Sequence, residues 1–116
     1  MKISFLFQYL FDLPVSPAKV LLALYISPVS TAKKIMNLTG ISYGKTYQSF
    51  QFLEKKGFID RSKRGIIKLK TDIVDSKIRE GINDLNIISN NLLILKKRAI
   101  KESFVRENLE KDFVRS

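Results

Sequence analysis

A mainly α fold with a small β-hairpin, closed by a long C-terminal helix, is predicted by three observations. Apolar residues recur at helical spacing in successive short segments between Pro14 and Gly57. The period drops to two between Phe58 and Lys70, around a glycine-containing turn. From Asp72 the helical period returns and is sustained to Ala99. The chain has 116 residues, enough for one domain with a real core. It has no cysteine and no histidine, which removes disulfides, the commonest metal ligand and the commonest general base. Enzymatic chemistry would have to run on carboxylates, lysines or hydroxyls; no cofactor and no enzymatic activity are expected.

The N-terminal run Ile3–Phe11 is apolar but too short to span a bilayer, which takes roughly 20 residues. Only Lys2 leads it, and no small-residue cleavage site precedes Pro14. It is read as a helix, with a strand as the alternative, covering the core or a dimer partner; no membrane contact is expected and the protein is placed in the cytoplasm. Ser16-Pro17 reads as a helix start, with serine as cap and proline at the first position. Val20, Leu21, Leu24 and Tyr25 continue that helix until Ser27-Pro28 ends it. Ser30 is expected to cap a short helix, Thr31 to Leu38, with Ala32, Ile35 and Leu38 inward and Lys33, Lys34 and Asn37 outward.

Thr39-Gly40-Ile41 is a tight turn into a helix signed at both ends. Ser42 suits the N-cap, Gly57 the left-handed position past the last turn, and Lys55 and Lys56 the negative end of the dipole. With Phe50 at the centre of its buried face, Thr46, Tyr47 and Leu53 share that face, while Lys45, Gln48, Phe52 and Lys55 lie opposite. Two helices joined by a short glycine turn make a helix-turn-helix. Phe58–Ser62 and Ile66–Lys70 then alternate as strands, Ile67 and Leu69 facing one way, and Lys63-Arg64-Gly65 turns between them. The sum is a winged helix-turn-helix over residues 1–71.

Charge supports a nucleic-acid role. Net charge is +10, and residues 30–71 hold ten cations against Glu54 and Asp60, a net of +8. A basic patch confined to one segment is the electrostatic footprint of phosphate binding. Base-edge and groove candidates are Lys45, Gln48 and Ser49, with Tyr43 at the helix start, and the cap Ser42 is counted among the DNA-binding residues; a glutamine amide can pair bidentately with adenine, and small Gly44 and Ser49 permit close approach. Thr31, Lys33, Lys34 and Lys55 are phosphate candidates, and Arg61, Lys63 and Arg64 belong to the basic wing. Phe52 is expected to be covered by a neighbouring segment, and the rings of Tyr43 and Tyr47 to pack rather than stack on bases.

Residues 72–116 read as a helical dimerisation extension. Asp72 is expected to cap, and Val74, Ile78, Gly81, Leu85, Ile88, Leu92, Leu95 and Ala99 follow a 4-3 seam. The dimerisation set is Val74, Ile78, Leu85, Ile88, Leu92 and Leu95. A second stripe, Ile73, Ile87, Ile94 and Ile100, widens the apolar surface. Lys96-Lys97-Arg98 suggests a turn, with Phe104, Leu109 and Phe113 in a short last helix.

The stretch from Pro17 to Ile59, with Val-Leu-Leu-Ala-Leu-Tyr, Ser-Thr-Ala-Lys-Lys-Ile, Thr-Gly-Ile-Ser, Lys-Thr-Tyr and Phe-Leu-Glu-Lys-Lys-Gly-Phe-Ile, resembles the DNA-binding domain of TrmB-type regulators. These are mainly archaeal winged-helix transcription factors within a wider MarR-like set. Met36 departs from the pattern, standing where the family usually has alanine against the next helix. The effector-binding domain of full-length members has no counterpart in these residues, so sugar sensing does not carry over and no small-molecule effector is expected. The resemblance implies a homodimeric, sequence-specific regulator of transcription on palindromic double-stranded DNA. The alternative is a DNA-binding maintenance protein of a plasmid, virus or chromosome, acting in partition, replication or architecture.

Overall fold

Phe50 has no exposed surface, and the elements around it are those that position the site. The computed structural model describes residues 2–109, with side chains through Lys101. In chain order they form α1 (Ile3–Phe11), α2 (Val15–Ile26), β1 (Val29–Thr31), α3 (Ala32–Thr39), α4 (Tyr43–Lys55), β2 (Ile59–Arg61), β3 (Ile66–Leu69) and α5 (Thr71–Leu109). The chain divides into two compact units, Met1–Arg79 and Glu80–Ser116.

In the first unit α2 is the central helix, packing against α1, α3 and α4. Ala18, Val20, Leu21 and Leu24 of α2 are fully buried, as are Ile35 of α3 and Leu53 of α4. Phe7 and Phe11 close one side: their rings lie 5.2 Å apart, and Phe11 meets Phe58 edge-on at 5.2 Å. The N-terminal run is thus a helix that covers the domain's own core. Among the described residues, no single helix is long and apolar enough to cross a membrane.

Three local starts differ from the sequence expectation. α2 begins at Val15 after Pro14, with no side-chain cap, and the Ala18 amide donates to the Pro14 carbonyl at 3.1 Å. Ser16 is therefore inside the first turn, and Pro17 falls where its missing N–H still costs no helical bond. Thr31, not Ser30, caps α3, its Oγ1 accepting from the Lys34 amide at 3.3 Å. Asp72 lies within the first turn of α5, where the Lys70 carbonyl accepts the opening amide bonds of Ile73 and Val74.

The hairpin has a third strand. β1 pairs antiparallel with β3, Ser30 opposite Ile67, and β2 pairs with the other side, giving the order β1-β3-β2. Ser30 faces inward, 5% exposed, in that strand. Ile67 and Leu69 share the buried side as the alternation predicts.

α5 starts as part of this unit. Val74 is fully buried in the same core and Ile78 packs against it, so Val74 is a core residue of the winged domain rather than a dimer contact. Nearby, the Tyr25 hydroxyl donates to Asp75 Oδ1 at 2.7 Å, and this bond holds the phenol above its usual pKa.

In the second unit the helix continues through Lys96-Lys97-Arg98 without a break, so no separate last helix begins there. Its 30 described residues make a rod of about 45 Å at 1.5 Å per residue. Leu85 is half-buried, while Ile82, Ile88, Leu92, Leu93, Leu95 and Ile100 are exposed. Phe113 lies outside the described residues, and so do the side chains of Phe104 and Leu109.

Thr46 is fully buried with no partner for Oγ1. A buried hydroxyl without a hydrogen bond costs about 1–3 kcal/mol. Thr46→Val is expected to raise the urea midpoint, with a gain of about 1 kcal/mol; a loss of stability would mean that the hydroxyl has a partner in solution.

Candidate nucleic-acid interface

α3, the turn and α4 are fixed by short-range bonds. Gly40 ends α3 at φ 70°, a conformation that suits glycine, with its amide on the Met36 carbonyl at 2.8 Å. Thr39 Oγ1 donates to the Ile35 carbonyl at 2.8 Å and accepts the Ile41 amide at 3.2 Å, tying the turn to the helix before it. Ser42 Oγ then caps α4 by accepting from the Lys45 amide at 3.4 Å. Half-buried Met36 is accommodated with α3 and α4 still packed together.

The inward side of α4 is Thr46, Ser49, Phe50 and Leu53. At 100° per residue the centre of that set lies roughly 50° from Phe50, towards Leu53. The outward line therefore runs Gly44, Gln48, Gln51 and Lys55, all exposed, with Lys45 and Phe52 beside it. Two candidates change. Ser49, 2% exposed, belongs to the helix–helix packing and not to the groove face. Gln51 joins the outward line; it was missed because centring the face on Phe50 alone put the line too far round the helix.

Tyr43 is 66% exposed at the start of α4, stacked at 4.7 Å on half-buried Tyr47, which in turn meets Phe50 at 5.5 Å. Tyr47 is a packing residue as expected, and Tyr43 stands on the open face. Phe52 is only partly covered: Lys56 Nζ lies 5.4 Å from its ring centre. With Lys45 and Gln48, Phe52 lines a cleft of about 340 Å³ against Pro14–Pro17.

The wing tip is ordered by Ser62, whose Oγ accepts from the Arg64 amide at 3.2 Å and the Ile66 amide at 3.1 Å, with Gly65 at φ 82°. Lys63 and Arg64 are exposed there. Thr31, Lys33 and Lys34 are exposed on α3 and its cap. Among the described residues the ion pairs are Arg61–Glu54 at 2.8 Å and Lys70–Asp60 at 3.5 Å. Lys33, Lys34, Lys45, Lys55, Lys63 and Arg64 are thus exposed without an acidic partner, whereas Arg61 is half-buried and already paired.

The family model for "Sugar-specific transcriptional regulator TrmB" matches residues 8–76. The chain belongs to the TrmB family. The match ends inside α5, just before the boundary of the first unit, so the family likeness lies in the winged domain. Among solved structures, the TrmB-family chain is similar to TrmBL2, described as an archaeal chromatin protein that shows a novel mode of DNA binding, at a TM-score of 0.57 and 24% identity. The alignment covers 96% of this chain and 43% of that one, so this TrmB-family chain spans less than half of TrmBL2. No curated protein matches it. The observed architecture is that of a winged helix-turn-helix.

Gly44 has no role inside the fold: a Cβ built on it meets nothing within 4 Å, and its φ is not positive. Glycine in a helix is disfavoured against alanine by up to about 1 kcal/mol. Gly44→Ala is therefore expected to stabilise the free protein in thermal melts while weakening its binding to duplex DNA. If alanine improved both, the open space over Gly44 would not be where a ligand docks.

Proposed function

We propose that the chain is a homodimeric, sequence-specific regulator that binds double-stranded DNA through the winged domain. The observation that carries this reading is the cationic face without acidic partners formed by α3, α4 and the wing, centred on an outward line of Gly44, Gln48, Gln51 and Lys55. α4 enters the major groove, where the amides of Gln48 and Gln51 read base edges with Lys45 beside them. Lys33, Lys34 and Lys55 meet phosphates, and Lys63 and Arg64 reach the flanking minor groove or its backbone. The role is non-enzymatic and intracellular, at the DNA.

Dimerisation is assigned to residues 80–116, through Leu85, Ile88, Leu92 and Leu95, with Ile78 at the domain end. Leu92 and Leu95 are 60% and 55% exposed, and a helix with apolar side chains so displayed buries them against another chain. Exposed Ile3, Phe5 and Tyr9 on α1 add apolar surface of the same kind. Replacing Leu85 and Leu92 with lysine is expected to yield monomers by light scattering and to weaken DNA binding. An unchanged mass would remove the helix as the dimer contact.

Two-fold symmetry favours a palindrome with half-sites about 10 base pairs, or a multiple, apart. If each protomer engages three or four phosphates, log K against log salt should have a slope of about −5 to −7. Gln48→Ala should relax preference at one position per half-site, by about 1–3 kcal/mol. Arg64→Ala should weaken specific and random duplexes alike.

A second reading is favoured by the structural likeness to TrmBL2, described as a chromatin protein: an architectural or maintenance protein that binds DNA with little sequence preference. Binding to genomic fragments in the presence of competitor duplex separates the two. A specificity ratio near one, with Gln48→Ala weakening all sequences equally, selects the architectural role.

A further inference from the structure

Between α4 and the wing lies an open cleft of about 340 Å³, with Tyr47 and Glu54 on the helix side and Arg61, Ser62, Lys63 and Ile67 on the wing side. Among the described residues, one side-chain ion pair spans it. Arg61, the last residue of β2, donates both Nε (3.2 Å) and Nη2 (2.8 Å) to Oε1 of Glu54 near the end of α4. β2 has only three residues and is an edge of the sheet, bonded on one side to β3. The turn after it is held by Ser62, but those bonds are internal to the wing. They fix its shape, while buried Ile59 and Ile67 seat the strands on the core, which leaves the exposed tip beyond them to the Arg61–Glu54 pair.

Resting on the DNA-binding reading above, we propose that Arg61 is not a phosphate contact but a positioning residue: with Glu54 it forms a strut that sets the wing against the recognition helix. Two N–H groups of the planar guanidinium converge on one carboxylate oxygen, which restricts the tilt of the guanidinium as well as its separation from Glu54. The strut so holds the tip cations Lys63 and Arg64 at the spacing from α4 at which one protomer spans a major groove and its neighbouring backbone. It pre-organises the face at little gain in overall stability, since the two side chains are 28% and 42% exposed and such pairs contribute little to folding. With its charge matched by Glu54, Arg61 displaces no counterion when DNA binds.

The test is a charge-conserving swap, Glu54→Arg with Arg61→Glu, measured beside each single substitution. Hydrogen exchange of the amides in residues 59–67 is followed on the free protein, and duplex affinity across a salt series. Each single substitution is expected to speed wing exchange by about five-fold and to leave the melting temperature of the whole domain nearly unchanged. The swap is expected to restore slow exchange, to bind DNA within about two-fold of wild type and to keep the wild-type salt slope.

A swap that restores slow exchange but binds at least ten-fold more weakly, with a slope shallower by about one, would make Arg61 a phosphate contact and overturn the proposal. Wing exchange unmoved by either single substitution would overturn it as well, because the strut would then hold nothing. Failure of the wild-type protein to bind any duplex would remove the DNA-binding reading instead, and the exchange measurements would still decide whether the strut sets the wing.

Discussion

The burial of one side of α4 is the constraint on which the interface depends. Phe50 and Leu53 enter the core opened by Val20, Leu21 and Leu24 of α2, and Thr46 and Ser49 are buried on the same side of the helix. A helix has one phase: once four positions at this spacing are inside, Gly44, Gln48, Gln51 and Lys55 must be outside. The chemistry presented to a ligand is thus set by packing on the opposite face. Two of the buried residues are small and polar, which keeps α4 close to its neighbours but leaves the Thr46 hydroxyl unsatisfied.

Those small polar residues also explain why the face was legible only in part. Apolar periodicity located α4, its cap Ser42 and its ending at Gly57, because these follow from local chemistry that the sequence displays directly. The phase came out shifted because Thr46 and Ser49 carry no hydrophobic signal, and Phe50 alone drew the centre towards itself. Lys45 and Gln48 tolerate such a shift, lying well outside in either phase. Ser49, at the margin, does not. β1 was invisible for a related reason: Val29-Ser30-Thr31 is too short to show alternation, and it becomes a strand only because β3 offers it an open edge.

The long helix shows a different limit. Its apolar seam runs without interruption from Val74 to Ala99, and periodicity says that a side chain is buried without saying by what. Val74 is satisfied by the winged core, in which it is fully buried, and Ile78 partly so. From Ile82 onward the same spacing meets little cover within the chain's described residues: Leu85 is half-buried, and Ile82, Ile88, Leu92 and Leu95 stand exposed. On a helical wheel, Leu85, Ile88, Leu92, Leu93, Leu95 and Ile100 occupy an arc of roughly 160°, wider than the narrow a/d seam of a two-stranded coil. A surface of that width is more than one partner helix in a two-stranded coil would cover.

Charge within the winged domain is divided with a similar economy. Residues 30–71 contain two acids, and each takes a cation away from the open face: Glu54 binds Arg61 and Asp60 binds Lys70. Both pairs therefore serve the wing's own geometry. Among the described residues, the cations left over on α3, α4 and the wing tip have only solvent and salt to screen them, over a Debye length of about 8–10 Å at physiological ionic strength. Their mutual repulsion raises the free energy of the unliganded domain, and the binding proposed above would relieve it by setting phosphates in place of the screening ions. Because both acids of residues 30–71 are taken up by Arg61 and Lys70, the exposed lysines of α3 and α4 keep their charge, and this is the electrostatic ground of the DNA-binding proposal.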